Sequence, residues 1–235
     1  MDQPWINLQN YTLTEVILFL IGALLWAYAY IAAVIRNHRY QTLAIPLAAV
    51  CLNFGWEVSS VFFFRSGIDM GKLFVLGYAL WMGIDAIIVT QMFRYGHTQI
   101  SAVYVKKHLP VLLTIGLIGS ILGHSFFMTE GFDMPMAVIS AYLINLAMSI
   151  DFCGLAFKPN FHGLSTPIAW AKGIGTGLIS ICFFLKYPHI HFLTTMYILT
   201  ALFDGIYLYL LYQVVPTLTS DPQDARSLPT ADLTP

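Results

Sequence analysis

The sequence predicts an all-α membrane protein, a bundle of seven transmembrane helices. Three observations carry that reading. Of the 235 residues, 58% are hydrophobic and only 10% charged, against about 25% charged in soluble domains. Mean hydropathy is +0.72. The chain divides into seven apolar runs, each near the roughly 20 residues that cross a bilayer. The same figures exclude a soluble globular domain and a disordered chain. With 11 Lys+Arg against 12 Asp+Glu there is no basic surface for phosphates, which excludes a nucleic-acid binder.

The spans are expected at 13–35, 43–64, 72–94, 109–128, 134–157, 167–187 and 191–214. Each is apolar throughout, whereas barrel strands would alternate polar and apolar over about ten residues. The first follows Asp2, Gln3 and Pro4, which form no basic n-region, and it is too long for a signal-peptide core, so it reads as a permanent span. Polar or turn residues separate the spans: Arg36-Asn37-His38-Arg39, Arg65-Ser66-Gly67, Gly96-His97-Thr98-Gln99, Glu130-Gly131-Phe132-Asp133, the stretch 158–166, and Tyr187-Pro188-His189. Loops this short predict that consecutive helices are antiparallel and adjacent. Residues 1–216 thus form one transmembrane domain, and 217–235 is a polar tail expected to be disordered.

Positive charges predict the orientation. Arg36, Arg39, Arg94, Lys106, Lys107, Lys158 and Arg226 fall on one side, and Arg65, Lys72 and Lys186 on the other. The N-terminus is therefore expected outside, in the lumen of the endoplasmic reticulum for a eukaryotic chain, and the C-terminus in the cytosol. The sequon Asn10-Tyr11-Thr12 lies close to the first span on the lumenal side. Cys51, Cys153 and Cys182 sit inside apolar runs and suggest neither a disulfide framework nor a metal cluster.

Ionisable groups inside spans are costly and mark functional sites by default. There are six: Glu57, Asp85, His124, Asp151, Lys172 and Asp204. Asp151 and Lys172 lie at matching depth on consecutive helices and are expected to form a structural ion pair. The other four have no basic partner at their depth and are expected to converge on one cavity. Three carboxyls around one apolar pocket cannot all ionise cheaply, which favours a carboxylic acid able to serve as a general acid. Aromatic residues accompany them at helical spacing: Trp81 and Tyr78 behind Asp85, Trp56 and Asn53 with Glu57, and Tyr197, Thr200 and Tyr207 along the face of Asp204. Aromatic faces stabilise cations without attacking them. Acids among such rings suit carbocation chemistry begun by protonating an alkene or epoxide. The bland alternatives are interhelical hydrogen bonds, a proton relay in a small transporter, or a receptor-like bundle. A retinal protein is excluded, because the seventh span has no lysine.

The stretch Asn53-Phe54-Gly55-Trp56-Glu57 is similar to the N-x-x-W-E signature of the integral-membrane terpene cyclases of fungal meroterpenoid and indole-diterpene pathways, the paxB-type family. Asp204, followed three residues later by Tyr207, resembles that family's last-helix Asp. Gly123-His124 resembles its fourth-helix Gly-His. His162-Gly163-Leu164-Ser165 with Trp170-Ala171-Lys172-Gly173 resembles its S-R-G-x-S and W-x-x-R segment, with Lys172 where Arg is common. The resemblance covers nearly everything except the tail. It implies a non-classical cyclase acting on a farnesyl or geranylgeranyl chain of an aromatic or indole intermediate, with Glu57 and Asp204 as the catalytic acids. Asn53, Trp56, Tyr78, Trp81, Asp85, His124, Tyr197, Thr200 and Tyr207 are then the expected substrate pocket. No D-D-x-x-D, N-S-E or D-x-D-D cluster is present, so neither a metal nor any other cofactor is expected, and the expected partners are the prenylated substrate and the bilayer.

Overall fold

The computed structural model describes residues 3–158 and 163–219, with side chains as far as 213. Its elements are helical, with no strand among the described residues. Seven helices are long and apolar enough to cross a membrane: α1 (Leu13–Tyr40), α2 (Leu47–Val58, prolonged by a π-helical turn Ser59–Phe64), α3 (Lys72–Tyr95), α4 (Val103–Thr129), α5 (Val138–Ala156), α6 (Thr166–Lys186) and α7 (His191–Thr219). The predicted spans recur in order. Several helices run past the predicted ends, because backbone hydrogen bonding continues where the side chains turn polar. His162 and residues 220–235 of the expected tail lie outside the described residues.

Local chemistry sets the helix ends. Thr12 and Glu15 form a reciprocal capping box at the start of α1, with Thr12 N donating to Glu15 Oε2 at 2.6 Å and Glu15 N donating to Thr12 Oγ1 at 3.3 Å. Gln41, in the left-handed region at φ 50°, ends the same helix. Asp133 accepts from the backbone N–H of Met134 (2.8 Å) and Ile139 (2.9 Å), placing a carboxylate at the start of α5.

Lateral packing departs from the expectation that consecutive helices are neighbours. The most extensive contacts join α1 to α6, α5 to α7 and α2 to α4; among consecutive pairs only α2–α3 and α6–α7 pack extensively. The contacts close a ring of six helices in the order α1, α6, α7, α5, α2, α3, with α4 outside it against α2. Short loops fix helix direction but not which faces meet; small residues decide that. A Cβ on Gly22 would stand 2.7 Å from the Gly175 carbonyl oxygen, and one on Gly175 2.9 Å from that of Gly22. The backbones of α1 and α6 therefore touch at this crossing. Gly55 of α2 meets Ser120 of α4 in the same way. Overpacking a tight site typically costs about 1–3 kcal/mol, and here backbone blocks relief. Gly175→Leu is accordingly expected to remove most of the monodisperse protein recovered in detergent; recovery at the wild-type level would show that this crossing tolerates separation.

Two apolar clusters fill the ring. One includes Trp26, Ile88, Met92, Phe152 and Leu211; the other includes Phe19, Phe74, Met128, Met136 and Phe183, toward the side that carries the N-terminus. The candidate site lies where they meet.

Candidate active site

Inside the ring, α1, α2, α3, α5 and α6 enclose a small cavity. Its walls include Trp26, Tyr30, Asn53, Trp56, Glu57, Tyr78, Trp81, Tyr142, Asn145 and Thr176. The free space is about 70 Å³, room for about two waters at their bulk share of ~30 Å³.

Asn53 organises the polar wall. Its Nδ2 lies 2.7 Å from Tyr30 Oη, 3.0 Å from Glu57 Oε1 and 2.7 Å from Asp85 Oδ2. Asn53 and Glu57 are four residues apart on one stripe of α2, a spacing that brings their contact about automatically. Glu57 and Asp85 are 1% and 2% exposed. An amide offers two hydrogens, so Asn53 cannot serve three oxygens equally. Glu57 Oε2 is buried with no hydrogen-bond partner. Neither carboxyl has an ion-pair partner among the described residues; the buried ion pair described here lies elsewhere. Two buried carboxyls sharing one neutral donor cannot both be charged cheaply.

Aromatic rings form the rest of the wall. Trp56 and Tyr78 have centroids 5.3 Å apart, Tyr78 and Trp81 5.8 Å, and Trp26 and Tyr30 5.5 Å. Trp56 is fixed by its indole N–H, which donates to Ser140 Oγ at 2.9 Å. Ser140 in turn bonds the carboxylate of Asp133, so the orientation of one wall is tied to the turn before α5.

The expected ion pair between Asp151 and Lys172 is replaced. Lys172 Nζ lies 2.6 Å from Asp204 Oδ1 and donates to Ser149 Oγ at 2.7 Å. It also sits 5.7 Å over the ring of Trp26. Asp151 takes no part. Ser149 is the α5 residue that faces Lys172, and Asp151, two residues on, points about 200° away around the helix. Asp204, expected to lack a cation, thus has one.

The model of the family described as Pyr4-like transmembrane terpene cyclases matches residues 2–216. The chain belongs to that family. Membership implies an enzyme and sets aside the carrier and receptor-like alternatives. Among curated relatives, the chain is 25% identical over 173 residues to the terpene cyclase spyD of Aspergillus fumigatus, covering 72% of this chain and 71% of that protein. It is 27% identical over 183 residues to the terpene cyclase macJ of Penicillium terrestre, covering 71% and 65%. It is 25% identical over 173 residues to the Pyr4-family terpene cyclase mfmH of Annulohypoxylon moriforme, covering 72% and 70%. No solved structure matches it.

Of the residues singled out by sequence in this Pyr4-like chain, Asn53, Trp56, Glu57, Tyr78 and Trp81 line one cavity, and Asp85 stands behind Asn53. The others do not line it. His124 borders a second, more open cavity with Gly116, Gly119, Ser120 and Gly123, and its Nδ1 is 2.8 Å from the Ser120 carbonyl oxygen. It is there because α4 packs outside the ring. Tyr207 stacks on Phe152 at 4.9 Å, and Tyr197 meets Tyr142 at 4.5 Å. Trp26, Tyr30, Tyr142, Asn145 and Thr176 were missed. They carry no charge, and only the ring order of the helices reveals that they face inward.

Proposed function

We propose that this membrane-bound cyclase protonates an epoxide or terminal alkene on the farnesyl or geranylgeranyl chain of an aromatic or indole intermediate and closes rings through carbocations. Glu57 is the general acid. The observation that carries this reading is the buried, unpartnered Oε2 of Glu57 in an aromatic cavity, its other oxygen held by Asn53. A proton placed on the free oxygen has no competing acceptor until a substrate oxygen or double bond arrives. General-acid assistance is worth about 10²–10⁴-fold. Trp56, Tyr78, Trp81 and Trp26 present ring faces that stabilise the migrating charge and offer it no lone pair strong enough to trap it. Asp85 shares Asn53 with Glu57 and favours a single proton on the pair. Asp204 was expected beside Glu57; held by Lys172, it does not share the initiating proton in this account. Initiation is metal-independent, in keeping with the lack of a diphosphate-ionising motif in the sequence. Supplying membranes that contain the chain with such a prenylated epoxide or alkene tests the reading: a cyclised isomer is expected, and unchanged substrate over folded protein would contradict it.

The positive-charge bias supports a cytosolic C-terminus and an N-terminus on the opposite side, which is the lumen for the endoplasmic-reticulum location we propose. A reporter fused after Pro235 is expected to be digested by protease added to sealed microsomes. Protection of that reporter would invert the topology.

A further inference from the structure

We propose that Asn145, Thr176 and Thr200 together hold one water molecule that joins the cavity to Asp204, and that Asp204 accepts through it the proton whose loss ends cyclisation. The second half rests on the cyclase reading above. The first half does not.

The placement follows from two layers whose contacts are fixed. In one, Ser149 of α5, Lys172 of α6 and Asp204 of α7 are bonded at 2.7 and 2.6 Å. In the other, nearer the N-terminal side, Tyr142 of α5 bonds Ser180 of α6 at 2.8 Å and its ring meets Tyr197 of α7 at 4.5 Å. Between them, one turn or about 5.4 Å from the ion pair, the same three helices present Asn145, Thr176 and Thr200. Asn145 Oδ1, Thr176 Oγ1 and Thr200 Oγ1 are all buried without a hydrogen-bond partner, as is Asp204 Oδ2. Thr176 and Thr200 are 4% and 0% exposed, so lipid and bulk water do not serve them. Buried polar atoms are rarely left unpaired, and a buried water typically makes two to four bonds to otherwise unsatisfied groups. Two hydroxyl donors and two oxygen acceptors are thus left unpaired within one turn of each other along these three helices, the complement of one water. Asn145 and Thr176 also line the cavity that holds Glu57, so the bound water faces the substrate on one side and Asp204 on the other.

The proton count closes. Glu57 gives its proton to the substrate. A C–H bond next to the final cation breaks, and its electron pair becomes the new double bond. That proton passes to the water, and a water proton passes to Asp204 Oδ2, leaving Asp204 neutral beside Lys172. After product departs, the proton returns through the cavity to Glu57, and the net reaction is an isomerisation. Thr200 is a positioning residue here, because it acts through the water.

Two measurements test this on the full chain. Thr176→Val and Thr200→Val keep shape and remove the hydroxyl. If the hydroxyls hold a water, each change lowers the melting temperature in detergent; if they are simply unpaired, removing them leaves it unchanged or raises it, and the water site is overturned. In membranes, Thr200→Val and Asn145→Leu are expected to consume prenylated substrate while the main product falls several-fold relative to early-terminated or hydroxylated ones. An unchanged product ratio overturns the role of Asp204 as acceptor. If wild type itself consumes no prenylated substrate, the cyclase reading and the acceptor role both fail, and the melting measurement alone decides the water site.

Discussion

Asn53→Leu is expected to stop product formation and to lower stability by several kcal/mol. Leucine keeps the bulk of the side chain but removes the one donor that serves Glu57, Asp85 and Tyr30 together. A buried polar group deprived of its partner costs about 1–3 kcal/mol, more when charged, and three such groups are affected. Asp85→Asn is expected to be milder, because an amide can still bond within the cluster and repulsion between the carboxyls is lifted. Folded yield and product formation in membranes, measured for both variants, check the order. An Asn53→Leu protein that folds and turns over like wild type would show that the cluster does not depend on the amide.

Breaking one partner of the Lys172–Asp204 pair is expected to have the largest effect on folding. Lys172 is 2% exposed, and Asp204 is its sole acidic partner among the described residues. Removing one member of a buried pair leaves an uncompensated charge, at a typical cost of about 3–5 kcal/mol. Asp204→Asn and Lys172→Met should each lower the melting temperature and the folded yield. The double variant should recover much of the loss, since replacing a buried pair by neutral groups is often close to neutral. Asp151→Asn should change little. Additive losses in the double variant, or a loss from Asp151→Asn equal to that from Asp204→Asn, would show that the pairing is different.

Hydropathy alone made the seven spans legible, because lipid demands continuous apolar helix whatever the helices do to one another. The core of the site was legible for a related reason: a glutamate in a span is too costly to be incidental, and helical spacing places Asn53 on its face. The partner of Lys172 was not legible. Depth along a helix can be counted from its ends, but rotation cannot, and about 200° separates Asp151 from the Ser149 that faces Lys172. Tyr30, Tyr142, Asn145 and Thr176 were hidden by the ring order, in which α6 closes against α1 through Gly22 and Gly175. His124 was drawn into the pocket by its chemistry, yet it belongs to a helix outside the ring.

The central claim is that the free carboxyl of Glu57 delivers the initiating proton. It is tested most directly by the initial rate of product formation from prenylated substrate in chelator-treated membranes, comparing wild type, Glu57→Asp and Glu57→Gln at equal protein level. Wild type should be unaffected by chelator. Glu57→Asp, which keeps an acid on a shorter stem, should retain a reduced rate. Glu57→Gln should lose at least about 10²–10⁴-fold. Near-wild-type turnover by Glu57→Gln, or activity lost to chelator and restored by Mg²⁺, would contradict the account.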